Sequence, residues 1–228
     1  MRRRFLMGGG FPKEPSAYEL METYTASQTF SAPEDGYFQI EVFGASGNGG
    51  SGVYMFSSYA KCSYDITGGG GGGGGYACSR VMMKKGDTAV FVCGASGAVS
   101  SAEINSSVKN YEKLSVTSGA SGGNANGAFT PWLTMEPGYG GSGGVASGGN
   151  YLNKNGGYGG GGSTAVNENS VSGASASSGA SGAAGYSGGN VGGIGGNGSY
   201  SYSNREITTV GGGAGSSGFI RVWRGDTN

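Results

Sequence analysis

A chain of 228 residues with 54 glycines, 14 basic and 14 acidic side chains and no histidine falls outside most ordinary classes. Glycine at nearly a quarter, against a usual share of about 7%, opposes a conventional side-chain core, since no residue loses more backbone freedom on folding. A hydrophobic content of 36% with 14 Tyr and 9 Phe is nevertheless too high for a disordered linker.

The balanced charge offers no basic excess to neutralise a phosphate backbone, so no nucleic-acid partner is expected. Without histidine the chain lacks the commonest general base and metal ligand, and its Asp and Glu are scattered. The sequence therefore reads as a non-enzymatic structural or binding module with no cofactor and no metal. There is no apolar run of the roughly 18 residues that would span a bilayer, so no membrane insertion is expected. Arg2-Arg3-Arg4-Phe5-Leu6-Met7 is followed by Gly8-Gly9-Gly10 instead of an apolar signal core, which predicts synthesis without a cleaved export signal. Cys62, Cys78 and Cys93 are odd in number and lack zinc-site spacing, so free thiols are expected.

In chain order, residues 1–21 read as an N-terminal arm. A strand over Glu22–Phe30, the turn Pro33-Glu34-Asp35-Gly36 and the alternating strand Tyr37–Phe43 predict a hairpin. Tyr76–Met83 is a further strand, and Lys85-Gly86-Asp87 turns the chain into Thr88–Cys93. Two of these strands run into the same tetrapeptide, Gly44-Ala45-Ser46-Gly47 and Gly94-Ala95-Ser96-Gly97, an internal repeat of strand followed by glycine run. Shorter strands are expected at Tyr111–Val116 and Arg205–Thr209, and Gly218–Trp223 closes the chain. Arg224-Gly225-Asp226 spells an integrin-binding tripeptide, but Gly225 is explained as a turn after the last strand. The organisation is thus strands with the first glycine tracts over 22–117, a glycine bundle over 118–217, and a closing strand with tail over 218–228.

The glycine tracts have a period. Gly173, Gly179, Gly182, Gly185 and Gly188 share one register of three, and Gly140-Gly141-Ser142-Gly143-Gly144-Val145 and Gly192-Gly193-Ile194-Gly195-Gly196-Asn197 repeat as Gly-Gly-X. Three residues per turn is the polyproline-II period. Such helices make no internal hydrogen bonds, so buried amides and carbonyls must pair between chains. Glycine lets the chains approach closely enough to do so. Collagen shares the period but needs abundant proline, and this chain has five prolines with none after Pro137. A flexible Gly/Ser linker is the competing reading for 118–218. The uninterrupted run Gly68–Gly75 suits the centre of a bundle, where glycine is required on all sides, or else a hinge.

The run from Ser31 to Gly47, the strand after Lys85-Gly86-Asp87 and the closing stretch Gly211–Trp223 resemble the glycine-rich domain of bacteriophage tail and bacterial surface proteins, and a related region of the anaplastic lymphoma kinase receptor. The resemblance covers roughly 22–224. It implies an all-β fold: a β-sandwich frame of jelly-roll or TNF-like type, with an inserted bundle of polyglycine-II helices. The Ser/Ala-rich stretch Val171–Gly185 departs from that family's cleaner Gly-Gly-X blocks.

Aromatic residues interrupt the glycine-rich half at Phe129, Trp132, Tyr139, Tyr151, Tyr158, Tyr200 and Tyr202. Rings of this kind on loops held by a rigid scaffold suit recognition of a protein or glycan. Taken with the resemblance, they imply a phage or prophage tail-tip adhesin, located in the virion tail or at a cell surface. Its expected partners are a host surface protein or glycan and other tail or fibre proteins, with an oligomer compatible. The alternatives are a purely structural virion or surface module without a receptor and, third, an ice-binding bundle, against which the bulky tyrosines argue.

Overall fold

Alternation of apolar and polar side chains builds the frame. The computed structural model describes residues 14–57, 62–129, 133–167 and 208–225, and over these the fold is all-β, with sixteen strands. One five-stranded sheet contains β1 (Tyr18–Tyr24), β3 (Gly36–Phe43), β6 (Tyr76–Met83), β13 (Leu152–Lys154) and β16 (Phe219–Gly225), in the order β1-β16-β3-β6-β13. A second contains β2 (Gln28–Ser31), β7 (Thr88–Val92), β8 (Val99–Asn105), β9 (Leu114–Thr117) and β12 (Ala146–Ser147), in the order β12-β9-β8-β7-β2.

Every second residue of the central strands points into one shared core. Phe38, Ile40, Val42, Val81, Ile220 and Val222 of the first sheet meet Phe30, Phe91, Leu114 and Val116 of the second. Phe30 stacks on Phe91 at 6.3 Å between centroids and meets Phe38 edge-on at 5.6 Å. Two antiparallel sheets joined by such a layer form a β-sandwich. Each fully buried side chain of this size contributes about 1.5–3 kcal/mol.

Three local expectations are corrected. The strand over 22–30 is split: β1 pairs with β16 and β2 pairs with β7, so the chain changes sheets between them and no hairpin joins it to β3. The two identical tetrapeptides have different fates. Gly44 and Gly47 bond to another glycine segment, whereas Gly97, at φ +83°, lies in the turn between β7 and β8. Gly225 is the last residue of β16, opposite Tyr18, and is not in a turn. A Cβ there would meet the Pro15 ring at 2.3 Å, so the glycine serves a close approach.

The sandwich emits the glycine segments, which come from both sides of residue 117. Segment I (44–51) leaves β3 and segment II (67–75) returns to β6. Segment III (117–125) leaves β9 and segment IV (138–145) returns to β12; segment V (156–163) leaves β13 and segment VI (211–218) returns to β16. The chain therefore makes three out-and-back excursions from one frame.

Between segments the backbone hydrogen bonds recur every third residue. Gly44, Gly47 and Gly50 donate to Gly75, Gly72 and Gly69, and segment II donates in turn from Gly69, Gly72 and Gly75 to Gly123, Ala120 and Thr117. A second register donates from Thr67, Gly70 and Gly73 to Ser163, Gly160 and Gly157, and the same residues accept from Gly138, Gly141 and Gly144. Segment II thus bonds four neighbours, and Thr67–Gly75 is buried throughout. Segments I and III, III and IV, IV and V, and I and VI are joined in the same rhythm, at 2.6–3.0 Å. The oligoglycine run sits at the centre because its neighbours leave no room for a Cβ. At Gly72 that atom would lie 1.9 Å from the Ser142 carbonyl oxygen, and at Gly71 2.1 Å from that of Gly47.

A lattice of repeating glycines could slip by one repeat, and side chains oppose this. Asn124 Oδ1 accepts from the Ser51 amide at 2.9 Å, and Asn48 Oδ1 accepts from the Gly215 amide at 2.8 Å. The Ser46 hydroxyl accepts from Ser216 N at 2.7 Å, and the Thr67 hydroxyl from Ser163 N at 2.7 Å. Asn124→Ala is expected to lower stability by about 1 kcal/mol, the net worth of one hydrogen bond. Adding Asn48→Ala, which shares none of those partners, should roughly double the loss. Urea denaturation checks this: the midpoint falls while the slope stays unchanged.

Candidate functional site

At the far end of the bundle the described chain of each excursion turns from glycine segment to strand. β4 (Gly52–Ser57) and β5 (Cys62–Ile66) join segments I and II, and β10 (Asn126–Ala128) and β11 (Thr134–Glu136) join III and IV. β14 (Thr164–Asn167) follows V and β15 (Thr208–Val210) precedes VI. The order β14-β5-β4-β15 makes a four-stranded sheet, and β10-β11 is a separate hairpin.

The cap has its own small core. Val53, Met55, Cys62, Tyr64, Ile66 and Ala125 are buried together, with Met135 of the hairpin against them. The hairpin lies close because residue 127 is glycine: a Cβ there would meet Met55 Sδ at 2.7 Å and Ile66 Cδ1 at 2.9 Å. Its turn carries Phe129, whose ring meets Tyr64 edge-on at 6.1 Å, and Leu133, 44% exposed. The Cys62 thiol donates to the Tyr64 hydroxyl at 2.8 Å. On the other face of the same strand pair Asp65 lies opposite Tyr54, both fully buried. Sequence reading passed over this β4–β5 pair. Its signal was Val53-Tyr54-Met55-Phe56 and Tyr64-Asp65-Ile66, two β-forming runs between glycine tracts.

The aromatic residues singled out in the sequence separate into three places. Phe129 belongs to the distal cap. Tyr139 and Tyr158 stand on segments IV and V, 74% and 80% exposed. Tyr151 is at the sandwich end, between β12 and β13, with the Arg80 guanidinium 3.7 Å from its ring centroid. Trp132, Tyr200 and Tyr202 lie outside the described residues.

The sandwich end carries the other concentration of polar chemistry, on the outer face of the first sheet. The buried Glu41 carboxyl accepts from the Tyr76 hydroxyl at 2.8 Å, from Trp223 Nε1 at 2.8 Å and from Gln39 Nε2 at 3.2 Å. Burial, reinforced by Cys78 and Glu41, pushes the Tyr76 phenol far above its usual range. Burial likewise pushes the Cys78 thiol up to about 12, so it is protonated and unreactive at neutral pH. Cys62, Cys78 and Cys93 are all free thiols. Among the described residues no three His, Cys, Asp or Glu side chains converge as metal ligands. The geometry of this cluster clamps three adjacent strands.

Among the described residues the distal end offers the aromatic Phe129, the aliphatic Leu133 and, on the hairpin, the exposed Asn126 and Glu136. Comparison of the chain with protein-family models, with curated proteins and with solved structures finds no match.

Proposed function

We propose that this chain is a tail-associated adhesin of a phage or prophage, in which a polyglycine-II bundle on a β-sandwich frame presents a distal cap to a receptor on the host surface. The observation that carries the reading is the threading: three excursions leave one frame and return to it, and their described outer strands meet at the end farthest from it, β14, β5, β4 and β15 in one sheet with the β10–β11 hairpin packed against it. A lattice of bonded backbones bears the ordering cost of those strands before any partner arrives, which is how preorganisation raises affinity. At about 3.1 Å per residue the nine residues of segment II hold the cap about 25 Å from the sandwich. The sandwich end, with Leu20, Met21, Val90, Val92 and Val99 exposed, is the side available to other tail or fibre proteins.

The test uses side chains that the lattice does not need. Deleting the whole loop from Asn124 to Tyr139 would remove bonds of Asn124, Ala125 and Gly138, so substitution is preferable. Phe129→Ser combined with Leu133→Ser is expected to reduce binding of the purified protein to host envelopes by about tenfold or more, as loss of anchoring contacts does. Thermal unfolding should change little, because both side chains are more than a third exposed. Undiminished binding by the folded double variant would remove the site from the distal cap.

A further inference from the structure

The flank of the bundle has a chemistry of its own. In segment IV, Gly138, Gly141 and Gly144 face the neighbouring backbones of segments II and III, and Gly140 and Gly143 face segment V. The third register, Tyr139, Ser142 and Val145, is left pointing to solvent. The Tyr139 ring rests on segment III: a Cβ on Gly123 would lie 2.6 Å from the ring carbons Cδ1 and Cε1. One face of the ring is therefore seated on backbone while the side chain remains 74% exposed.

Tyr158 belongs to the same side. Gly161, one repeat further along its register, has the Gly138 carbonyl oxygen 4.0 Å from its Cβ position, which places this register on the border with segment IV. Gly159 and Gly162 donate to Gly141 and Gly138, so the segments run antiparallel with Tyr158 level with Ser142 and Gly161 level with Tyr139. The two tyrosines are thus offset by one three-residue repeat, about 9 Å along the bundle. Beside them lie the exposed Ser142 and the bare backbone at Gly161. From 117 to 163 the charged residues are Glu136 in the hairpin and Lys154 in β13, so none belongs to this flank.

We propose that the flank formed by segments III, IV and V is a second contact surface, which binds an uncharged polysaccharide with the Tyr139 and Tyr158 rings as its platforms. Aromatic faces against the apolar faces of sugar rings, with hydroxyls and backbone groups between them and no charge, are what a neutral sugar chain requires. The offset of about 9 Å between the two rings lets one extended chain lie across both. A protein partner is disfavoured, because a stable interface buries about 800 Å² on each side around a packed centre. This narrow strip offers only two large anchors. The assignment goes beyond the distal adhesin reading and does not depend on it.

Affinity electrophoresis of the full chain through gels containing dextran, mannan or soluble β-glucan tests it, with polygalacturonate as the acidic control. The expected result is retardation by at least one neutral polymer and none by polygalacturonate. Tyr158→Ala and Tyr139→Ala should each weaken it by about tenfold, while Tyr139→Phe retains it. Phe129→Ser with Leu133→Ser should leave it unchanged, which separates this surface from the distal cap. Three outcomes overturn the proposal: no retardation by any of the three neutral polymers, retardation that ignores both tyrosines, or loss of retardation in the distal variant.

Discussion

Gly72→Ala is expected to keep the bundle from closing, although it adds a single methyl group. The new Cβ would sit 1.9 Å from the Ser142 carbonyl oxygen and 2.5 Å from its carbon. Overpacking among side chains usually costs about 1–3 kcal/mol, because rotamers can shift. Here the obstacle is backbone, and Ser142 cannot retreat without stretching the bond from Ala120, while Gly72 itself is tied to Ala120 and Gly47. A loss above about 4 kcal/mol, in the range reserved for severe core lesions, follows. The control is Gly161→Ala, where the nearest atom to the Cβ position is 4.0 Å away; its effect should stay within about 0.5 kcal/mol. Thermal unfolding of both variants checks the pair, and equal behaviour would mean that Gly72 is not enclosed.

Glu41→Ala is expected to cost about 3 kcal/mol or more, from the opposite end of the molecule. Its carboxyl oxygens receive Tyr76 of β6 and Trp223 of β16, the strands on either side of β3. Truncation leaves a buried phenol and an indole N-H without this acceptor, at about 1–3 kcal/mol for each such group. Because burial holds the Tyr76 phenol protonated well beyond its usual range, that donor persists in alkaline buffer. Glu41→Gln keeps one carbonyl acceptor and should recover about half of the loss. Denaturant midpoints of the two variants measure the difference, and identical values would show that the acceptors contribute nothing beyond packing.

The sandwich was legible where one face of a strand is wholly apolar. Phe38, Ile40 and Val42 alternate with Gln39 and Glu41, and the same rhythm identified β6, β7 and β16. The split of the 22–30 region was not legible, since a change of sheet leaves no mark on hydrophobic period; only pairing with β16 and β7 defines it. Glycine period three pointed to close backbone pairing, but the run Gly68–Gly75 suited a centre or a hinge alike; the carbonyl oxygens that crowd it on several sides decide for the centre. Which segment bonds which could not be read, since every Gly-Gly-X block offers the same pattern. That choice is written in single side chains such as Asn48, Asn124 and Thr67.

The candidate surfaces divide in the same way. Tyr139 and Tyr158 stood out as aromatic interruptions, and their exposure follows from the one register of each segment that faces no neighbour. Tyr151 stood out equally but sits at the sandwich end on Arg80, because the chain is back in the frame there, between β12 and β13. The cap strands β4 and β5 are no shorter than β7, but they are buried on both faces and so lack the alternation that marked the sandwich strands.

Residue-resolved hydrogen exchange of the segment II amides tests the central claim most directly. If the glycine segments form a bonded lattice, the amides of Gly69, Gly70, Gly72 and Gly73, each donating to a neighbouring segment, exchange as slowly as those of Ile40 and Val42 in the sandwich core. Exchange of these glycine amides at the rate of an unstructured chain, with the sandwich amides protected, would contradict it and return the glycine tracts to flexible tethers.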